Sequence, residues 1–266
     1  MSSFYNNKVV WITGASSGIG EGIAYQLAEQ NANLIISAPD MENLRKVKDN
    51  CISRGAKCIS VYLDLADQKS IDDAFNTAVK EFGKIDVLIS NGGVSQRTLA
   101  LETSEELSRR IMEINYFGTT KLTLKVLELM VKNGGGHLAV TSSISGKFGF
   151  HLRSIYASSK HALHGFFETI RLEHQKDNIT VTIVCPGRVK TNISINALTK
   201  DGSAYGKMDA GQAGGVSIEY CAKKYLRSIE KGKKEVLIGG KELIPVYLKR
   251  YAPALFYKLI SNVKPT

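Results

Sequence analysis

One short stretch limits the fold of this chain more than any other. Lys8-Val9-Val10-Trp11-Ile12-Thr13 runs straight into Gly14-Ala15-Ser16-Ser17-Gly18-Ile19-Gly20, and a helical pattern follows from Glu21 to Gln30. An unbroken apolar run of strand length suits a parallel strand buried on both faces. Ile23, Ala24, Leu27 and Ala28 form the inner stripe of the helix. The glycines between them let the backbone approach a ligand closely. The helix start supplies free N–H groups and the positive end of its dipole. Strand, glycine turn and helix in this order are the setting of a dinucleotide site; an ordinary tight βα turn is the plainer alternative. The spacing is Gly-x-x-x-Gly-x-Gly and no Gly-Lys-Ser/Thr follows, which disfavours a nucleotide-triphosphate loop.

The rest of the chain keeps the same alternation. Strands are expected at Asn33 to Ser37, Lys57 to Leu63, Ile85 to Ser90, Gly136 to Thr141, Ile179 to Cys185 and Glu235 to Ile238. Helices are expected at Met41 to Arg54, Ser70 to Phe82, Glu105 to Val131 and Ser154 to Glu173. Regular β–α alternation with right-handed crossovers gives an α/β chain: one doubly wound parallel sheet of about seven strands with helices on both faces, the Rossmann arrangement. No internal repeat, low-complexity tract or linker interrupts it, so residues 1–266 read as a single domain.

Composition narrows the function. The 266 residues carry a formal charge of +10, with 43% hydrophobic and 23% charged residues. A basic balance admits nucleic acid, an acidic membrane surface or anionic ligands. No nucleic-acid-binding signature accompanies it, so nucleic acid is not an expected partner. Cys51, Cys58, Cys185 and Cys221 form no Cys-x-x-Cys and no zinc spacing; they read as reduced, mostly buried thiols of a cytoplasmic protein. No secretory signal and no apolar run of transmembrane length is present. His161-x-x-His164 lacks a third ligand and reads as helix surface, and no metal site is expected.

Tyr156 and Lys160 lie four residues apart and therefore on one helix face. A fixed ammonium beside a phenol favours the phenolate, and such a pair can give or take a proton at a reacting oxygen. A surface Tyr and Lys at helical spacing is the plainer alternative. Upstream, Asp64 follows the third strand, Asn91-Gly92-Gly93-Val94 follows the fourth, and Ser143 precedes Tyr156 by thirteen residues. Asn115 lies within the long helical stretch, and Pro186-Gly187 with Thr191 follows the sixth strand. In this order these residues resemble the short-chain dehydrogenase/reductase family over nearly the whole chain. Within the family, Ser95-Gln96-Arg97, Gly146-Lys147-Phe148-Gly149, the Lys160 to Phe167 run and the basic tail resemble the branch of dehydrogenase/reductase member 7B-like and 11β-hydroxysteroid dehydrogenase-like proteins.

The resemblance implies an NAD(P)-dependent oxidoreductase that interconverts a carbonyl and an alcohol. Tyr156 would exchange the proton, Ser143 would hydrogen-bond the reacting oxygen, and Lys160 would lower the Tyr156 pKa and hold the nicotinamide ribose. Asn115 would hold a water that links Lys160 to solvent. Cofactor contacts would come from Gly14, Ser16, Ser17, Gly18, Ile19 and Gly20, from Asp64 and Leu65, and from Asn91, Gly92 and Gly93. Tyr156, Lys160, Pro186, Gly187, Val189 and Thr191 complete that set. Duller roles stand beside these: Ser143 as a loop cap, Asn115 as a satisfied core amide, Asp64 as the cap of the next helix. The fourth-strand motif departs from the family pattern, with Ser90 for its first Asn and Gly92 for Ala. NADP(H) is slightly preferred on the family pattern. However, Ser37-Ala38-Pro39-Asp40 puts an acid where relatives are expected to carry Arg, which brings NAD(H) nearly level.

Residues 188–216, rich in Gly, Asn, Ser and Asp, read as a mobile substrate lid. Val94 to Leu99 and Ile144 to Leu152 would form the facing walls, and Phe148, Phe150 and Leu152 point to a hydrophobic carbonyl or alcohol. Residues 241–266 form a basic, apolar tail that Pro245 and Pro253 divide. Aromatic residues beside Lys249, Arg250, Lys258 and Lys264 resemble an interfacial segment, giving peripheral membrane contact as one role and packing on the core or a second subunit as the other. Surplus apolar residues on the long helices imply a homodimer or homotetramer. A non-catalytic dinucleotide sensor or scaffold, or a lipid-surface adaptor acting through the tail, is the rival function.

Overall fold

The computed structural model describes residues 4–263, and Lys264 of the tail lies outside them. The chain runs β1 (Val9–Thr13), α1 (Gly18–Ala28), β2 (Asn33–Ala38), α2 (Met41–Ser53), β3 (Cys58–Tyr62), α3 (Gln68–Phe82) and β4 (Val87–Ser90). It continues through α4 (Glu105–Met112), α5 (Thr119–Lys132), β5 (Gly136–Thr141), α6 (Ser154–Glu173) and β6 (Ile179–Pro186). The last elements are α7 (Ala210–Ala213), α8 (Ile218–Glu230), β7 (Glu235–Ile238), α9 (Ile244–Tyr251) and α10 (Pro253–Ile260). All seven strands pair in parallel, in the order β3-β2-β1-β4-β5-β6-β7.

β1 shows why its sequence is continuously apolar. Val10 and Ile12 pack on one face, in the core beneath α1, α2 and α8. Val9 and Trp11 pack on the other, beneath α3, α5 and α6. Side chains alternate across a strand, so a strand covered on both sides must be apolar at every position. Trp11 is fully buried, and its indole N–H donates to Ser37 Oγ at 2.9 Å, which satisfies the one polar atom it carries. All four cysteines are buried free thiols.

Two departures from the sequence-based expectation bear on the active site. The expected helix from Glu105 to Val131 is helical throughout but not uniform: a π-helical stretch, Glu113–Gly118, that contains Asn115 joins α4 to α5. A helix unassigned from the sequence, α8, lies between residues 188–216 and β7; Ser217 caps it by accepting from the Tyr220 N–H at 3.1 Å. The tail forms two helices, each with proline in its first turn. It docks through Phe256, whose ring meets Phe148 edge-on at 5.5 Å, and through Lys249, which donates to the Lys147 carbonyl at 2.9 Å. Tyr247, Tyr251, Leu255, Tyr257 and Leu259 stay exposed. No helix among the described residues is long and apolar enough to cross a membrane.

Candidate active site

The sheet order reverses between β1 and β4, the switch point beyond whose strand C-termini open α/β sheets hold their ligands. The glycine turn follows β1 at this point. Gly14 has φ +64°, and a Cβ added there would meet Gly92 Cα at 2.6 Å. A Cβ at Gly20 would sit 2.3 Å from Gly14 O and 2.8 Å from Asn91 Nδ2. Ser17 occupies the N-cap position of α1 without a side-chain cap, so the first N–H groups of the helix are left to another acceptor. Gly20→Ala therefore has no room without moving the turn. It is expected to destabilise the fold by about 1–3 kcal/mol in urea denaturation, with Gly165→Ala, whose surroundings are open and whose φ is not positive, as the control for general effects.

Asn91 stitches three strand ends together. Its Nδ2 donates to the carbonyls of Thr13 and Gly14, both at 3.2 Å, and its Oδ1 accepts from Thr141 Oγ1 at 3.1 Å. Thr13 Oγ1 in turn accepts from the N–H groups of Asn91 and Gly92 at 3.0 and 2.9 Å. At Ser90, where the motif departs from the family pattern, the hydroxyl is buried with no hydrogen-bond partner among the described residues. Asp64 does not cap α3, contrary to one expectation: Asp67 does, and Asp64 Oδ1 accepts from the Ala66 N–H at 2.9 Å. Leu65 is buried beside Gly92. Asp40 caps α2, accepting from the Asn43 N–H at 3.1 Å and the Asn43 side chain at 2.7 Å.

Asn115 is completely buried. Its Oδ1 accepts from the Val94 N–H at 2.8 Å, and its Nδ2 donates to Val94 O at 2.9 Å and Ser159 Oγ at 3.0 Å. Both amide protons are used, so the side chain braces the Gly93-Val94 backbone against α6. A Cβ on Gly93 would lie 2.9 Å from Asn115 Oδ1 and 3.4 Å from Lys160 Nζ, which brings the fourth-strand motif and the Tyr-Lys helix to one point. On the far side, Thr191 closes over the turn: its Cγ2 would be 3.1 Å from a Cβ at Gly18. Pro186 ends β6, the Gly187 N–H donates to Ile238 O at 2.7 Å, and Val189 is buried.

The proton-active groups gather after the end of β5 and along the start of α6. Ser143 Oγ accepts from the Ser145 N–H at 3.1 Å, so it does cap a short turn, and it also hydrogen-bonds the Tyr156 phenol. Burial pushes the Tyr156 pKa up; Ser143, Arg153 and Arg97 oppose that rise. Lys160 Nζ lies 5.9 Å from the Tyr156 ring centroid and donates to the Thr141 carbonyl at 2.9 Å. Burial pulls the Lys160 pKa down to about 8. Arg153 and Arg97 thus join Lys160 as cations near the phenol.

Those arginines belong to a buried network with no counterpart among the sequence-based expectations. Arg97 reaches Asp209 at 2.5 Å and Arg153 reaches the same carboxylate at 3.1 Å. Asp209 lies in the 188–216 segment, which also pairs with the facing wall: the Arg97 N–H donates to Leu198 O, and the Leu198 N–H to Ser95 O, each at 2.9 Å. Gln96 Oε1 accepts from the N–H groups of Ile155 and Tyr156 at 2.9 and 3.1 Å, capping the first turn of α6 in place of a local side chain. Phe148, expected in a pocket wall, is taken up by Phe256 of the tail. His161 is exposed, but His164 is buried, so the helix-surface reading fails for the second histidine.

Comparison with known proteins agrees with this geometry. A family model described as short chain dehydrogenase matches residues 8–202. Dehydrogenase/reductase SDR family member 7B of Bos taurus is 38% identical over 269 residues, which cover 98% of this chain and 83% of the relative. Dehydrogenase/reductase SDR family protein 7-like of Anopheles gambiae is 38% identical over 263 residues, covering 97% and 83%. A short chain dehydrogenase/reductase from Burkholderia phymatum, solved in complex with NAD, superposes with a TM-score of 0.84 at 21% identity over 98% of this chain and 97% of that one. An alcohol dehydrogenase of the archaeon Thermococcus sibiricus, complexed with 5-hydroxy-NADP, gives 0.77 at 25% identity over 89% and 98%. The chain belongs to the short-chain dehydrogenase/reductase family and is an oxidoreductase.

Proposed function

We propose that the protein interconverts a carbonyl and an alcohol with NAD(P), on a hydrophobic substrate, with Tyr156 as the proton donor and acceptor. The observation that carries this reading is the partly buried Tyr156 phenol, hydrogen-bonded to Ser143, on the helix whose Lys160 lies beside Gly93 of the fourth-strand motif. The bound nicotinamide supplies or accepts the hydride. The uncapped start of α1 and the cleared backbone at Gly14, Gly18 and Gly20 suit a pyrophosphate. Lys160, next to Gly93, suits the ribose.

In the reductive direction Tyr156 gives its proton to the oxygen on which negative charge builds, and Ser143 holds that oxygen by a hydrogen bond. In the oxidative direction Tyr156 takes the proton. Leu99, Ile193 and Met208, exposed on the wall and on the 188–216 segment, support an apolar substrate covered by that segment. Phe117, Leu124 and Leu172, exposed on the helices, support pairing of subunits. The exposed aromatic face of α9 and α10 supports a peripheral membrane contact.

Both NADP(H) and NAD(H) fit the end of β2, which offers no arginine to a 2′-phosphate and whose Asp40 is occupied as a helix cap. The test is oxidation of each reduced cofactor across a panel of ketones, aldehydes and steroids. Turnover of at least one carbonyl is expected, and the ratio of the two cofactor affinities gives the preference. Tight cofactor binding without turnover anywhere in the panel would replace this reading with that of a dinucleotide sensor.

A further inference from the structure

His164 lies on α6 two turns beyond Tyr156 and is 8% exposed. Ser142 Oγ donates its single proton to the Lys160 carbonyl at 3.1 Å. Ser142 Oγ lies 3.0 Å from His164 Nε2, and Cys185 Sγ lies 3.7 Å from the same nitrogen. In the tautomer that carries its proton on Nε2, Nδ1 presents a lone pair. That atom is buried and has no hydrogen-bond partner among the described residues. It faces Glu168 Oε1 at 3.7 Å and Glu235 Oε2 at 3.6 Å. A lone pair and two carboxylates turned toward one point repel one another unless positive charge lies between them.

The neighbouring ammonium reaches only one of these three groups. The Lys147 ammonium meets Glu235 Oε2 at 2.6 Å but leaves Nδ1 unpartnered.

We propose that His164 Nδ1, Glu168 and Glu235 form a divalent-cation site beside the helix that carries Tyr156, with zinc as the best-fitting ion. The three ligand atoms lie within 4.8 Å of one another. Tetrahedral zinc with bonds of about 2.0–2.2 Å holds its donors roughly 3.4 Å apart, so the two histidine–carboxylate separations need little adjustment. One imidazole with two carboxylates is a donor set that zinc accepts. His164 and Glu168 stand one helical turn apart on the same face. The glutamate side chains are 52% and 35% exposed, which gives an ion access and leaves a further position to water. A bound ion would tie α6 to the start of β7, next to the strand end that leads into Ser142 and Ser143.

The test is calorimetric titration of zinc into the full chain after chelator treatment. One zinc per chain is expected, with affinity falling at least about tenfold in Glu168→Gln. Lys147→Gln, which removes the competing ammonium, is expected to tighten binding. Glu168 is half exposed, so its substitution should leave the zinc-free unfolding temperature unchanged, whereas His164→Gln is used only with that check. Absence of zinc binding, or equal binding by the wild-type chain and Glu168→Gln, would overturn the proposal.

Discussion

Tyr156→Phe is expected to lower turnover of the best carbonyl substrate by about 10²–10⁴-fold, the range that a positioned proton donor supplies. The substitution removes one hydroxyl, leaves the ring in place, and leaves Ser143 Oγ its contact with the Ser145 N–H. Cofactor affinity and urea stability should therefore stay close to those of the unaltered protein. The pH dependence follows from the direction of the Tyr156 shift. Burial raises its pKa, so the phenol is protonated at neutral pH and ready to act as an acid. Reduction should run at a constant rate through neutrality and fall only on the alkaline side, whereas oxidation should rise with pH as the phenolate forms. Turnover in Tyr156→Phe within a factor of about two of the original, with intact folding, would remove Tyr156 from the chemistry.

What the sequence made legible was whatever depends on local pattern. β1 could be found because burial on both faces demands an unbroken apolar run. The glycine turn could be found because only glycine fits beside Gly92 Cα and Gly14 O. α8 was also within reach: Cys221, Ala222, Tyr225, Leu226 and Ile229 repeat with helical spacing behind the Ser217 cap. The irregular polar segment before it masks where that period begins. His164 was legible by phase, since it shares the buried face of α6 with Lys160, Leu163 and Phe167.

Other features had no local signature. A π-helical stretch needs an i to i+5 hydrogen-bond register that no residue preference announces. Asn115 marked the place, but its bonds to Val94 and Ser159 depend on how α6 packs. The pairing of Arg97 with Asp209 spans 112 residues and joins two irregular segments. Periodicity cannot foresee such a pair, because neither partner sits on a repeating face. The arginines near the phenol went unseen for the same reason. Helical spacing puts Lys160 beside Tyr156, whereas Arg97 reaches the phenol from an irregular segment.

Asp209→Ala is expected to show how much rests on that loop network. The side chains of Arg97 and Asp209 are 3% and 8% exposed, and that of Arg153 is 13% exposed. Removing the carboxylate leaves two guanidinium groups buried without their shared partner, a change that costs about 3–5 kcal/mol in comparable buried pairs. The loss should appear in urea denaturation if residues 188–216 unfold with the core. If they open alone, it should appear as faster amide exchange at Leu198 and Arg97, whose N–H groups join the segment to the wall. Two guanidinium groups and one carboxylate leave one net positive charge near Tyr156; without Asp209 that charge becomes two. More positive charge favours the phenolate, so the alkaline limb of the reductive reaction should move to lower pH. Arg97→Met takes a cation away and should move the same limb to higher pH. Opposite displacements of one limb by two substitutions in one ion pair are what an electrostatic role requires. Shifts in the same direction, or a stability loss below about 1 kcal/mol with unchanged exchange, would mean that water screens the network as it does a surface pair.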